Sequence, residues 1–253
     1  MSFNDKVVIV TGSSSGIGAA IAIEFSSLGA KVCLVGRNKE KLDEVGKKCN
    51  NPLVLVADIT QDKDAQRIVS ETVRYFGKLD ILINNAGMGG SASIVAENAL
   101  EVYDKVMNTN LRSVVHLTHL AAPHIIKTKG NIINISSVCA LRVLLTNGFA
   151  YNTSKAGLDH FTRSVAAELA SQGVRVNAVN PGPVQTDILE NTGANEAQQK
   201  YVFEKMKQST ALNRISDPSE IADLVIFLAS DKARAITGSI YVSDNGTLIK
   251  TAH

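Results

Sequence analysis

Little in this sequence points to a disulfide scaffold, a membrane or a polyanion. Its 253 residues hold three cysteines, Cys33, Cys49 and Cys139. An odd number with no Cys-x-x-Cys spacing excludes a disulfide framework or a zinc knuckle and reads as reduced thiols. No run of about 18 apolar residues occurs. The polar start, Met1 to Lys6, leads straight into a short apolar run and lacks the pattern of a signal peptide. A soluble, cytoplasmic protein with no membrane partner is expected. The formal net charge is +2 and no basic stripe appears, so nucleic acid is excluded as a partner. His116, His119 and His124 have no carboxylate–histidine pattern around them, and no metal site is expected. No linker, charge block or low-complexity tract interrupts the chain, so residues 1–253 read as one domain.

What is present is a rhythm of short apolar runs and amphipathic segments. Val7-Val8-Ile9-Val10 is continuously apolar and β-branched, as suits a strand buried on both faces of a parallel sheet. It runs into Thr11-Gly12-Ser13-Ser14-Ser15-Gly16-Ile17-Gly18. Ile17, Ile21, Phe25 and Leu28 then recur at helical spacing until Gly29. Strand, glycine turn and helix in that order make a pyrophosphate site: the backbone turns tightly, and free N–H groups at the helix start face an anion. The spacing is Gly-x-x-x-Gly-x-Gly, which differs from the standard dinucleotide fingerprint.

Further strands are predicted over Lys31–Gly36, Leu53–Ala57, Ile81–Asn84, Gly130–Ser136, Val174–Val179 and Ser239–Val242. Alternation with helices makes successive βαβ units and a doubly wound sheet. Two long helices are expected between about Glu97 and Lys127, with Pro123 near a bend or an end. Asn110 falls inside the second, as a functional polar group or a solvent-facing residue. Residues around 187–212 predict a helical lid over a substrate site.

The second strand ends in Gly36-Arg37. An acid at that place receives a ribose 2′-hydroxyl; none is present, and an arginine suits a 2′-phosphate or simply faces solvent. Tyr151 and Lys155 lie one helical turn apart on one face. An unperturbed tyrosine with a pKa near ~10 must drop by about 3 units to work near neutrality, roughly what a unit charge ~4 Å away supplies before desolvation. The pair is an acid–base device or an ordinary surface Tyr and Lys. Leu141, Val143, Leu144 and Leu145, with Leu189, Phe203 and Met206 of the lid, line an apolar substrate pocket or else pack the core or a subunit interface.

Taken together, Thr11-Gly12-x-x-x-Gly16-x-Gly18, Asp58, Asn84-Asn85-Ala86-Gly87, Asn110, Ser137, Tyr151-x-x-x-Lys155 and Pro181-Gly182 with Thr186 resemble a classical short-chain dehydrogenase/reductase over almost the full length. The resemblance implies an α/β, Rossmann-type doubly wound fold, with a seven-stranded parallel sheet and helices on both faces, in a homodimer or homotetramer. It implies Tyr151 as general acid/base, Lys155 lowering its pKa and holding the nicotinamide ribose, Ser137 positioning the substrate oxygen, and Asn110 holding a relay water. For the cofactor it implies Gly12, Ser14, Ser15, Gly16, Ile17, Gly18, Arg37, Asp58, Ile59, Asn85, Ala86, Gly87, Pro181, Gly182, Val184 and Thr186, besides Tyr151 and Lys155. Asp58 would contact adenine and Thr186 the carboxamide. Ala140 and Val242-Ser243-Asp244-Asn245-Gly246 depart from the family pattern, the first near the substrate pocket and the second near the oligomer interface.

The expected protein is an NADP(H)-dependent oxidoreductase that interconverts a small carbonyl compound and an alcohol, with an apolar substrate. The alternatives are an NAD(H)-linked alcohol dehydrogenase of the same fold and a silent dinucleotide-binding sensor or scaffold.

Overall fold

The computed structural model of the chain describes residues 1–186 and 196–251. Its strands are β1 (Val7–Thr11), β2 (Lys31–Gly36), β3 (Leu53–Val56), β4 (Ile81–Asn84), β5 (Asn131–Ile135), β6 (Arg175–Pro181) and β7 (Ile240–Ser243). All pair in parallel, in the order β3-β2-β1-β4-β5-β6-β7. This is the Rossmann-type, doubly wound, seven-stranded sheet.

The continuous apolar runs are explained by burial on both faces. Val8 and Val10 of β1 pack with α1 (Gly16–Ser27), α2 (Lys39–Gly46) and α8 (Pro218–Ala229), through residues such as Phe25, Leu42 and Val225. Val7 and Ile9 point the other way, toward α3 (Asp62–Phe76), α5 (Ser113–Thr128) and α6 (Phe149–Leu169), through Ile68, Leu117 and Val165. Successive side chains leave a strand on opposite faces, so one β-branched run feeds two cores.

The stretch from 97 to 127 departs from expectation. α4 (Ala99–Met107) and α5 are joined by a π-turn over Asn108–Arg112, and Asn110 lies in that turn instead of inside the second helix. The Ser113 N–H donates to the Asn108 carbonyl, five residues back. The wider turn changes the angular register of the helix and Asn110 points inward, 1% exposed, so the solvent-facing alternative falls. Pro123 lies inside α5, five residues before its last residue, and not at an end. Of the expected lid, α7 (Glu196–Gln208) is helical; 187–195, and with them Leu189, lie outside the described residues.

Away from the carboxyl ends of the strands, Asp80 ties β1 to β4. Its buried carboxylate accepts the Val7 N–H at 2.9 Å and lies 3.0 Å from Lys78 Nζ and 3.5 Å from Lys6 Nζ. Both lysines are partly exposed, so the orphaned backbone donor dominates the cost of losing Asp80. Asp80→Ala is expected to lower unfolding free energy by about 1–3 kcal/mol in urea titration. Lys6→Met should cost less than ~1 kcal/mol; equal losses from the two variants would contradict this account.

Candidate active site

Strand order reverses direction between β1 and β4, and this leaves a crevice beyond their carboxyl ends. Thr11, the last residue of β1, spans it. Its hydroxyl donates to Ile83 O at 3.2 Å and accepts the N–H groups of Asn85 (3.0 Å) and Ala86 (3.1 Å). The Asn85 amide donates to Thr11 O at 2.9 Å and Gly12 O at 3.2 Å. The glycine loop and the loop after β4 are thereby one braced unit.

The glycines have separate reasons. Gly12 and Gly16 have φ of +65° and +54°, where side chains are strained. A Cβ on Gly18 would lie 2.3 Å from Gly12 O and 2.4 Å from Asn85 Nδ2. Ser15 precedes α1 in extended conformation, its side chain makes no capping bond, and the first turn carries no acid. A helix start of this kind, uncapped by its own side chains, fits an anionic diphosphate. Ser14 packs against Gly36, whose added Cβ would lie 3.4 Å from its Oγ. Arg37 is exposed beside them and makes no ion pair among the described residues. Asp58 and Ile59 lie just past β3, where Asp58 Oδ1 accepts the Thr60 N–H (3.0 Å) and hydroxyl (2.8 Å). The residue set suits a dinucleotide along this edge.

The helix α6 carries Tyr151 and Lys155 on one face. Tyr151 has the Ser137 hydroxyl near enough to favour its ionised form, and Ser137 Oγ accepts the Cys139 N–H at 3.1 Å, while Ser136 Oγ donates to Lys155 O at 3.2 Å. Of the two adjacent serines, Ser137 is the one that acts on the phenol. Lys155 is 5% exposed. Its Nζ donates to Ile135 O at 2.8 Å and lies 5.8 Å from the Tyr151 ring centroid. Asn110 Nδ2 donates to Met88 O (2.9 Å) and Ser154 Oγ (3.1 Å), and its Oδ1 accepts the Met88 N–H (2.8 Å). Gly87 is wedged between: a Cβ there would lie 3.3 Å from Asn110 Oδ1 and 3.5 Å from Lys155 Nζ.

The electrostatics correct one expectation. Burial pushes the Tyr151 hydroxyl up from 10.0 to about 12, and the nearby Ser137 hydroxyl offsets only part of this. Lys155 does not hold it down here, because burial also drives Lys155 from 10.5 to about 8, with Asp159 the main group opposing that drop. Tyr151 is therefore a neutral phenol through physiological pH, ready to donate a proton.

A cavity of about 710 Å³ opens over this group. Of the expected residues, Ile17, Asn85, Gly87, Ser137, Tyr151, Lys155, Pro181, Gly182, Val184 and Thr186 line it. Gly12, Ser14, Ser15, Gly16, Gly18, Arg37, Asp58, Ile59, Ala86 and Asn110 do not; Asn110 acts on the wall from behind. Leu144, Leu145 and Met206 line the cavity, whereas Leu141, Val143 and Phe203 are outside its lining; Leu141, Val143, Leu144 and Leu145 are all exposed. Met88, Cys139, Arg142, Ser209, Thr247 and Lys250 also line it. Sequence alone gave no reason to single these out as a group: they come from four segments that only the tertiary fold brings together.

The family model described as Enoyl-(Acyl carrier protein) reductase matches residues 12–247. The chain is 39% identical to the short-chain dehydrogenase/reductase FrzI of Cladobotryum sp, over 97% of this chain and 96% of that one. It is 33% identical to an L-fucose dehydrogenase of Mus musculus, over 90% of this chain and 84% of the relative. A short-chain dehydrogenase/reductase of unknown function from Caenorhabditis elegans, solved with cofactor, superimposes with a TM-score of 0.93 at 33% identity, over 98% and 97% of the two chains. The chain belongs to the short-chain dehydrogenase/reductase family. It is an oxidoreductase acting on CH–OH and C=O groups of small molecules, with a nicotinamide dinucleotide as cofactor.

Lys155 makes stability pH-dependent with a definite sign. Its folded value, about 8, lies below the ordinary 10.5. Between the two the unfolded chain binds more protons, so the cost of the buried ammonium is full below pH 8 and is relieved as pH rises to 10.5. Lys155→Met should gain stability relative to wild type near neutrality, by at most about 3 kcal/mol. That gain should shrink as pH climbs through this window in urea titrations. A pH-independent difference would show that Lys155 is not held down by burial.

Proposed function

We propose that the protein is an NADP(H)-dependent oxidoreductase interconverting a ketone or aldehyde with its alcohol, on a substrate with a largely apolar body. The observation that carries the chemistry is that Tyr151, Ser137 and buried Lys155 all line one cavity. When bound, the nicotinamide supplies or accepts the hydride. Tyr151 gives the substrate oxygen a proton during reduction and takes one back during oxidation. Ser137, lining the same cavity beside the phenol, would hold that oxygen. Lys155 holds the nicotinamide ribose and brings positive charge to the Tyr151 side of the cavity. Asn110 has both amide hydrogens committed and one oxygen lone pair left. Its first role in this proposal is therefore positioning: it ties Met88 to Ser154, the neighbour of Lys155 on α6, and a relay water would be held at the same turn.

The backbone N–H groups at the start of α1 would receive the pyrophosphate, with Gly12, Ser14, Ser15, Gly16, Ile17 and Gly18 shaping the approach. Asp58 and Ile59 would border the adenine, and Asn85, Ala86 and Gly87 the adjoining ribose. Pro181, Gly182, Val184 and Thr186 would border the nicotinamide. Cofactor choice rests on Gly36-Arg37. No carboxylate stands there to bind a diol or repel a phosphate, and the exposed guanidinium offers a fork to a 2′-phosphate. Leu144, Leu145, Met88 and Met206 favour an apolar substrate body.

The proposal takes residues 1–253 as one catalytic domain, cytoplasmic and assembled as a homodimer or homotetramer. Its three cysteines are free thiols, and no helix among the described residues is long and apolar enough to cross a membrane. Exposed Leu100 on α4 and Val115 on α5 offer apolar surface for assembly.

Two measurements test these roles. Tyr151→Phe keeps the ring and removes the proton; turnover should fall by about 10²–10⁴-fold with nucleotide binding largely kept. Wild-type turnover in that variant would end the mechanism. Arg37→Ala should raise the KM for NADPH by roughly ten- to a hundredfold and change that for NADH little. Equal weakening of both cofactors, or a wild-type preference for NADH, would return the assignment to NAD(H).

A further inference from the structure

The cavity carries more positive charge than the carbonyl chemistry uses. Besides Lys155, it is lined by Arg142 and Lys250. Arg142 is exposed and Lys250 half-buried, whereas Lys155 is buried, so the two extra cations belong to the mouth and not to the floor. Backbone carbonyls hold both. Arg142 Nη1 donates to Leu248 O at 3.3 Å. Lys250 Nζ donates to Gln208 O and, at 3.0 Å, to Thr210 O. A carbonyl is neutral and leaves the cation's charge in place. Neither residue makes an ion pair among the described residues. No aspartate or glutamate is among the described residues that line the cavity. Met88 and Met206 are half-buried in the lining, and Leu144 and Leu145, exposed like Arg142, border it.

This layout has three zones. A proton donor and its neighbouring serine lie on the floor, half-buried thioether side chains along the walls, and two uncompensated cations with two exposed leucines at the mouth. We infer that the cavity takes a carbonyl substrate with an apolar body and a terminal carboxylate, the carboxylate being held by Arg142 and Lys250. The inference rests on the carbonyl–alcohol reading of the floor and adds the substrate's far end. A guanidinium and an ammonium converging on one carboxylate supply charge-assisted hydrogen bonds, and apolar walls weaken the competition from water. Each such bond contributes roughly a tenfold to hundredfold preference over an uncharged analogue. An alternative use of the two cations is purely structural, since their carbonyl bonds tie the C-terminal segment and the end of α7 to the loop after β5. The two uses differ in what substitution does.

The test uses the full chain with NADPH. Levulinate and its longer keto-acid homologues are compared with their methyl esters, which match them in shape but lack the charge. Wild type should prefer the best acid over its ester by roughly tenfold or more in kcat/KM, with added salt reducing that preference. In Arg142→Met the acid-over-ester preference should fall by roughly tenfold, mostly through KM, with a smaller fall in the same direction for Lys250→Met. Equal or better use of esters by wild type overturns the inference while leaving the carbonyl–alcohol reading intact. So does a loss in the variants that acid and ester share, which would mean tethering, or one that tracks NADPH affinity, which would assign the cations to the cofactor. If neither acids nor esters are reduced, the carbonyl reading itself fails. Thermal shift with heptanoate against heptanol then decides the mouth separately. Stabilisation by heptanoate alone, lost in Arg142→Met, sustains an anion site; no difference between the two probes overturns it.

Discussion

β1 lies between β2 and β4, and the chain leaves it in opposite directions along the sheet. Nothing in a parallel sheet fills the gap that this creates at the carboxyl ends of the two strands. The gap is held in register by two side chains, Thr11 and Asn85. Thr11 bonds Ile83 O, Asn85 N and Ala86 N, and Asn85 returns two bonds to the glycine loop. The start of α1 is fixed by that loop, and the loop after β4 runs on through Gly87 to Met88, where Asn110 grips both backbone groups. The cofactor edge and the catalytic wall thus share a single brace, built from backbone groups at the ends of the two strands. Placement of the catalytic side chains follows from sheet topology before any of their own contacts is considered.

Much of this arrangement was legible in the sequence. A β-branched run of four residues followed by a glycine cluster and helical spacing can satisfy its hydrophobic faces in few ways, and β1, the loop and α1 lie where that pattern puts them. Tyr151 and Lys155 share a face because four residues make about one helical turn. Ser137 was distinguishable from Ser136 only by resemblance; in the fold they differ because one hydroxyl acts on the phenol and the other bonds the Lys155 carbonyl.

The rest was hidden for identifiable reasons. A π-turn leaves no compositional mark, so Asn110 read as a mid-helix anomaly when it is an inward-facing clamp. Apolar residues after Ser137 carry no sign of their direction: Leu144 and Leu145 border the cavity while Val143, one residue earlier, does not, although all three are exposed. Arg142 and Lys250 are 108 residues apart and meet at one cavity only because β7 follows β6 in the sheet. The acid–base estimate failed for a different reason. It treated Lys155 as a full charge in a polar medium, yet the burial that brings the ammonium near the phenol also removes part of the solvation that keeps it charged.

That failure points to how the site manages a buried charge. Tyr151, Lys155 and Asp159 recur every four residues on α6 and make a polar stripe on a helix that otherwise buries Leu158, Val165 and Leu169. Burial raises the Asp159 carboxyl and lowers the Lys155 ammonium, so each is pushed toward neutrality, while their mutual attraction resists both shifts. Neither is left to the other alone. Asn180 of β6 donates to Asp159 Oδ2 at 2.8 Å and to Ser137 O at 3.0 Å, and Ile135 at the end of β5 receives the ammonium. The ends of β5 and β6 therefore solvate the stripe in place of water. A hydrophobic residue at Lys155 would stabilise the helix packing but leave the phenol without a nearby cation. The stripe persists as a local cost in stability because its charge can be held still, a few ångströms from the reacting oxygen, only by the backbone of the sheet.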